Sequence, residues 1–337
     1  MRIAILAHET FPDRAKTAVG VMRYGEQDVV AVLDRDAAGT TVGDHLPDIE
    51  AADVPVVESV SDAPAFDALY IGIAPIGGGF DESWRPDVRG AIERGADVVS
   101  GLHYFLNDDV ELADLAAEHG VELRDVRDPP DDLTVAEGIA RDLDCEIVLT
   151  VGTDCSSGKM TTTLELVESA REAGLDAGFV PTGQTGIMID GSGIPIDRTI
   201  SDFTAGATER LVRERADDHD YLFVEGQGSI VHPAYSAVTC GILHGAQPDR
   251  LVLCHEAGRE RIHGYESFPI TEPARITELY ADLAEPVAPT ELLGGALNTH
   301  GLGSDAAAEA IESFESAIDV PAVDPVRNGA DRLVDEL

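Results

Sequence analysis

Apolar runs of four to six residues recur along the chain, separated by longer stretches in which apolar residues return every three or four positions. Runs of the first kind suit strands buried on both faces, and stretches of the second kind suit amphipathic helices. In the first part this predicts strands at Ile3–Ala7, Val29–Leu33, Ala68–Ile73 and Asp97–Ser100, with helices at Pro86–Arg94 and Val110–His119. A second series follows at Glu146–Val151, Ala177–Val180, Tyr221–Glu225, Leu251–His255 and Gly294–Asn298. Strands alternating with helices predict an α/β fold of parallel sheets covered by helices. Between the two series, Val126–Leu133 (VRDPPDDL) is acidic, rich in proline and without apolar period, which predicts a linker. The expected organisation is a Rossmann-like domain over residues 1–133 and a three-layer P-loop NTPase-like domain over 134–337.

Length agrees, since 337 residues exceed one typical core and fit two α/β domains. Charge narrows the partners. Asp and Glu number 64 against 23 Lys and Arg, a formal charge of −41, and such a surface repels nucleic acid and anionic membranes. With 44% hydrophobic residues in regular runs the chain is not disordered. The expected setting is a salt-rich cytoplasm, where ions screen carboxylate repulsion over roughly 3 Å at 1 M salt. The first residues, MRIAILAHETF, hold too short an apolar run for a signal peptide, and no apolar stretch approaches the roughly 20 residues of a membrane span. A small molecule is the expected partner, with a homo-oligomer left open. Cys145, Cys155, Cys240 and Cys254 show neither a C-x-x-C pair nor metal spacing and read as reduced thiols.

The only lysines are Lys16 and Lys159. Lys159 lies in EIVLTVGTDCSSGKMTTTLELVESAREAG, which reads as a buried strand, a glycine-bearing loop and a helix. Backbone N–H groups of such a loop and of the exposed first helical turn converge on an anion. Gly152 and Gly158 permit the turn and Lys159 adds a cation. Thr153, Asp154, Ser156, Ser157, Met160, Thr161 and Thr162 complete the expected phosphate-binding loop. It departs from G-x-x-x-x-G-K-[ST] in two ways: five residues separate the glycines, and Met160 takes the hydroxyl position that would hold Mg²⁺.

Other polar clusters fall at strand ends. Pro181–Gly186 follows a strand and suits a substrate loop, with Thr182, Gln184 and Thr185 as contacts, ahead of a flexible Met188–Ile194. Asp197 and Asp202, near the start of the next helix, are placed either to reach a metal or to cap it. Glu225-Gly226-Gln227-Gly228-Ser229 and His232-Pro233-Ala234-Tyr235-Ser236 form the richest polar run. There His232 is the candidate general acid or base, because its unperturbed pKa is near 6.5. Glu225, Gln227, Ser229 and Tyr235 are further candidates, with His255, Arg259 and the strand-ending Asn298, a position suited to a base or ring. The N-terminal part lacks G-x-G-x-x-G, which argues against a nicotinamide site.

Gly152-Thr153-Asp154 with Gly158-Lys159, and Val224-Glu225-Gly226-Gln227-Gly228, resemble dethiobiotin synthetase. That resemblance implies ATP and a metal held by Glu225, with Thr161 replacing the hydroxyl missing at Met160; if Mg²⁺ is bound, Asp202 is a further candidate ligand by its position near the helix start. Its second lysine is absent, because Val180-Pro181-Thr182 stands there. The order Lys16–Gly25, Val29–Leu33, Gly39–Gly43, Val54–Ser59 and Tyr70–Ile76 resembles the CoA-binding domain of succinyl-CoA synthetases. One family resembles nearly the whole chain through 74–79, 100–103, 152–162, 183–188, 225–236 and 253–257. That family is described as D-glutamate N-acetyltransferases. The resemblance implies acetyl transfer from acetyl-CoA to an acidic amino acid, CoA phosphates in the loop, and His232 or Glu225 taking the ammonium proton. An ATP-dependent kinase or carboxylate ligase using Mg²⁺, and a nucleotide-binding sensor without turnover, are the alternatives.

Overall fold

The computed structural model describes residues 1–337 apart from Asp48, Ala74 and Ile76, so two residues of the 74–79 block, and the end of the Tyr70–Ile76 segment, lie outside the described residues. The chain forms two compact units, Met1–Pro129 with Gln184–Pro195, and Pro130–Gly183 with Ile196–Leu337. A single boundary near residue 133 therefore misses one excursion. Residues 184–195 belong to the first unit although both neighbouring segments belong to the second. The expected linker is also partly core, for Val126 and Arg127 are buried and Arg127 Nε donates to Gly101 O at 2.8 Å.

In chain order the first unit carries β1 (Arg2–Leu6), α1 (Lys16–Tyr24), β2 (Asp28–Leu33), β3 (Val56–Val57) and β4 (Ala68–Ile71). It continues with α2 (Arg85–Glu93), β5 (Asp97–Ser100), α3 (Val110–His119) and β6 (Leu123–Asp125). Its six strands are all parallel, in the order β3-β2-β1-β4-β5-β6, a Rossmann-like arrangement. Four of the five residues of β1 are buried, as a strand covered on both faces requires. Asp34, just past β2, accepts the N–H groups of Thr10 and Phe11 at 3.3 and 3.1 Å and so ties down the loop after β1.

The second unit holds β7 (Glu146–Gly152), α4 (Lys159–Glu172) and β8 (Ala177–Val180). The chain then supplies α5 (Gln184–Asp190) to the first unit, so the segment expected to be flexible is largely helix. The second unit resumes with α6 (Thr204–Ala216), β9 (Tyr221–Val224), α7 (Ser236–Ala246), β10 (Arg250–Glu256), β11 (Arg261–Ile262) and β12 (Tyr265–Pro269). After these come α8 (Pro273–Ala284), β13 (Glu291–Asn298), α9 (Ser304–Ile318), β14 (Ala322–Val323), α10 (Pro325–Asn328) and α11 (Asp331–Val334). Six parallel strands form the sheet β14-β13-β10-β7-β9-β8, while β11 and β12 make a separate antiparallel hairpin. The strand β7 is central, with β9 on one side and β10 on the other, so three strand ends open around the loop that follows Gly152.

Gly226 lets β9 approach β7 this closely. A Cβ there would stand 1.7 Å from Thr150 O, and the Gly226 N–H donates to Thr150 Oγ1 at 3.0 Å. Thr150 Oγ1 also meets Thr163 Oγ1 at 2.9 Å, fixing α4 to the strand that feeds it. Among the described residues no helix is long and apolar enough to cross a membrane.

Candidate functional site

The loop after β7 carries the features that an anion cradle needs. Gly158 (φ +94°) and Ser156 (φ 53°) take left-handed backbone, which turns the chain sharply into α4. No side chain caps α4. Its first-turn N–H groups, which have no partner within a helix, therefore point outward at the positive end of the helix dipole. Lys159 is buried, and its Nζ donates to Asp154 O at 2.8 Å and Ser157 Oγ at 3.3 Å. Burial holds its pKa below the ordinary lysine value, against the opposing fields of Cys254, Cys155, Asp154 and Glu225. The loop thus carries a desolvated ammonium ringed by its own oxygens, with Met160 and Thr161 half-buried beside it and Thr162 buried.

Asp154 organises this loop from within. Its fully buried carboxylate accepts Cys155 N at 2.7 Å, His263 N at 2.8 Å and Arg259 Nη1 at 3.2 Å. Arg259 also donates to Cys155 O at 2.8 Å and pairs with Glu256. Arg259, expected to contact substrate, clamps the loop after β7 through these bonds.

His232 faces the same carboxylate. Its Nδ1 accepts Ala234 N at 3.1 Å and Tyr235 N at 3.3 Å, so the neutral ring carries its proton on Nε2. Nε2 is buried without a hydrogen-bond partner and stands 3.9 Å from Asp154 Oδ1. Burial lowers the pKa of the ring, with Asp154 opposing, so the neutral form is favoured. A general base at Nε2 needs a lone pair there, and this tautomer offers an N–H. The geometry therefore suits a donor, the acid side of the acid-or-base role expected of His232, rather than a proton acceptor. The same fact bears on metals. Asp154, Cys155 and His232 are the one described group of three His, Cys or acidic ligand atoms lying within 4.8 Å of each other. Coordination by His232 would require the lone pair that the two backbone bonds deny. This group includes neither Glu225 nor Asp202, the two carboxylates expected as metal ligands, and Asp202 is exposed.

Glu225, just past β9, is buried, and its Oε2 accepts Thr182 N at 3.1 Å and Gly183 N at 3.0 Å. Thr182 Oγ1 donates to Glu225 O at 2.6 Å, and Gln227 Nε2 donates to Thr182 O and Oγ1. These bonds lock the ends of β8 and β9 together. Thr182 and Ser229 are both fully buried within this end of the sheet. Gln184 and Thr185 belong to the first unit, where Thr185 Oγ1 meets Thr17 Oγ1 at 2.8 Å. The expected substrate loop therefore divides between the units.

At the end of β10, His255 Nδ1 meets Thr153 Oγ1 at 2.8 Å and its ring stacks on Phe314. Burial, then the Arg259 charge, pull its pKa down to about 4. Asn298 Oδ1 accepts His300 N at 2.9 Å, which leaves the amide nitrogen as its outward group. Two residues escaped the sequence. Tyr280, fully buried on α8, donates to Gly152 O at 3.1 Å and accepts Ile230 N at 3.3 Å, bracing the loop from below. His263 acts through its backbone N–H, which leaves no sequence signal. Tyr280 sits on a buried i, i+4 stripe with Ile276 and Ala284, so its burial was legible but its hydroxyl's target was not.

The chain belongs to the DUF1611 family. That family's P-loop domain, described as a domain of unknown function, matches residues 134–334, and its Rossmann-like domain matches residues 35–129. A protein from Tritonibacter scottomollicae named D-glutamate N-acetyltransferase is 36% identical over 96% of this chain and 94% of its own length. Another of the same name from Pseudoalteromonas sp is 40% identical over 80% of each. The crystal structure of a DUF1611 family protein from Anabaena variabilis is similar with a TM-score of 0.93 at 39% identity, covering 99% of this chain and 98% of that one.

Proposed function

We propose that this chain is a D-glutamate N-acetyltransferase that draws its acetyl group from acetyl-CoA and holds the CoA phosphates on the loop from Gly152 to Thr162. The observation that carries the reading is kinship across nearly the full length with proteins of that name, joined to an uncapped helix start and a buried Lys159 in that loop. In the reaction the amine nitrogen attacks the thioester carbonyl, a C–N bond forms, the C–S bond breaks and CoA leaves as thiolate. Two protons leave the ammonium in all: the one shed as the C–N bond forms passes to the departing thiolate, and the one lost before attack must go to a base. With the one acceptor lone pair of His232, on Nδ1, already taken by two N–H groups, that task falls to the Glu225 carboxylate, whose two oxygens carry more lone pairs than the Thr182 and Gly183 N–H groups on Oε2 occupy. His232 serves as an N–H donor toward the loop. Asn298, Gln227 and Tyr235 remain candidate ligand contacts. The acidic surface belongs with a salt-rich cytoplasm.

ATP cleavage has weaker support, since Met160 replaces the metal-binding hydroxyl and the group beside the loop turns an N–H toward the carboxylate. The test is to incubate purified protein in molar salt with D-glutamate and acetyl-CoA and follow free thiol. A parallel mixture with ATP and Mg²⁺ is followed for phosphate. Thiol release that requires D-glutamate supports the reading. Phosphate release without thiol release moves the chain to the ATP-dependent ligases or kinases, and neither signal points to a sensor.

A further inference from the structure

A chain with a formal charge of −41 covers its surface with carboxylates, so exposed rings on it need a reason. Among the described residues the exposed aromatic side chains are Tyr235 (50%), Phe268 (48%) and Tyr265 (39%), and they lie together. Tyr235 stacks on the His232 ring at 4.6 Å between centroids, Tyr265 stands edge-on to the same ring at 5.2 Å, and Phe268 meets Tyr265 at 6.4 Å. Tyr265 and Phe268 belong to β12, all five of whose residues are exposed. The hairpin is not loosely placed. At its turn, His263 N–H donates to Asp154, and the same carboxylate takes Arg259 from the segment leading into the hairpin. The aromatic patch is therefore continuous with the phosphate loop through Asp154 and His232.

We propose that Tyr235, Tyr265 and Phe268 form a platform on which the purine base of the phosphate-loop ligand stacks. The proposal rests on the reading that this loop holds an adenine-bearing diphosphate. CoA and ADP share that chemistry, so both serve as probes. A flat π-face beside an anion cradle is what such a ligand needs, because every purine offers a stacking surface whatever its polar edge meets. The loop would fix the diphosphate and the hairpin would fix the base. Asn298 ends β13, and its carbonyl accepts Ala257 N at 3.0 Å in the segment that leads into the hairpin.

The test uses the full chain in molar salt and the exposed-site variants Tyr265→Leu and Phe268→Leu, which keep apolar bulk and remove the ring. CoA, ADP and 4′-phosphopantetheine, which lacks the base, are titrated by calorimetry, with unfolding curves confirming that each variant folds. Each variant is expected to bind CoA and ADP about tenfold more weakly, in keeping with measured base-stacking losses, and 4′-phosphopantetheine unchanged. Equal losses for all three probes, or unchanged CoA and ADP affinity, would overturn the platform. So would intact affinity accompanied by a change in oligomeric mass, which would give the rings to a contact between copies. If the wild-type chain binds ADP but not CoA, the acetyl-CoA reading fails while the platform stays testable on ADP. Binding of neither probe sinks both.

Discussion

Nε2 of His232 stands 3.9 Å from Oδ1 of Asp154, each side chain wholly buried, while Nδ1 of the same ring is held by two backbone N–H groups. The ring is thus presented to the phosphate loop as a donor. Replacing it by glutamine, which keeps an N–H near the Nε2 position, should preserve most activity, whereas His232→Ala should lower kcat by roughly 10²–10³-fold, the usual cost of one pre-placed donor. Steady-state thiol release on both variants checks this. Equal loss in the two, with the acid limb of the pH–rate profile abolished, would restore His232 as the base.

His255 makes stability depend on pH. Its folded pKa, about 4, lies below its ordinary 6.5, so the unfolded chain binds the proton more readily. The neutral ring's contribution is complete above pH 6.5 and declines as pH falls toward 4. At most it amounts to roughly 3–4 kcal/mol, because each tenfold loss of proton affinity on folding is worth roughly 1.4 kcal/mol. Denaturant titrations of wild type and His255→Gln across that window should show the variant with the shallower pH dependence, since the many carboxylates are common to both. Parallel curves would show that His255 makes no such contribution.

The sheets were legible because parallel strands buried on both faces must be apolar along their length, and β2, β5, β7 and β8 lie within a residue or so of where the runs end. Shorter strands were not. Val56–Val57 and Ala322–Val323 owe their pairing to a neighbour already in place and not to any run of their own. The phosphate loop was legible in its glycines and Lys159, and the acid-rich composition in a count. What the sequence withheld is direction. It could not show that Arg259 turns onto Asp154, that Thr182 and Ser229 face inward, or that two backbone bonds choose the tautomer of His232. Those outcomes depend on which strand ends meet, a property of the sheet order.

The surface charge predicts a salt response. At −41 the folded chain repels itself once unscreened, so its melting temperature should fall steadily as salt is withdrawn from molar to millimolar. A flat profile in differential scanning calorimetry would separate the acidic composition from any need for salt.

Whether the loop from Gly152 to Thr162 holds the acyl carrier by its phosphates is decided by titrating CoA into wild type and Lys159→Ala at matched salt. Lys159 contributes one charge-assisted contact, and such contacts are worth roughly 1.5–3 kcal/mol, so the variant should bind CoA about 10- to 150-fold more weakly while unfolding as a normal cooperative protein. Unchanged CoA affinity in a variant that still folds would contradict phosphate binding on this loop and place the carrier elsewhere on the molecule.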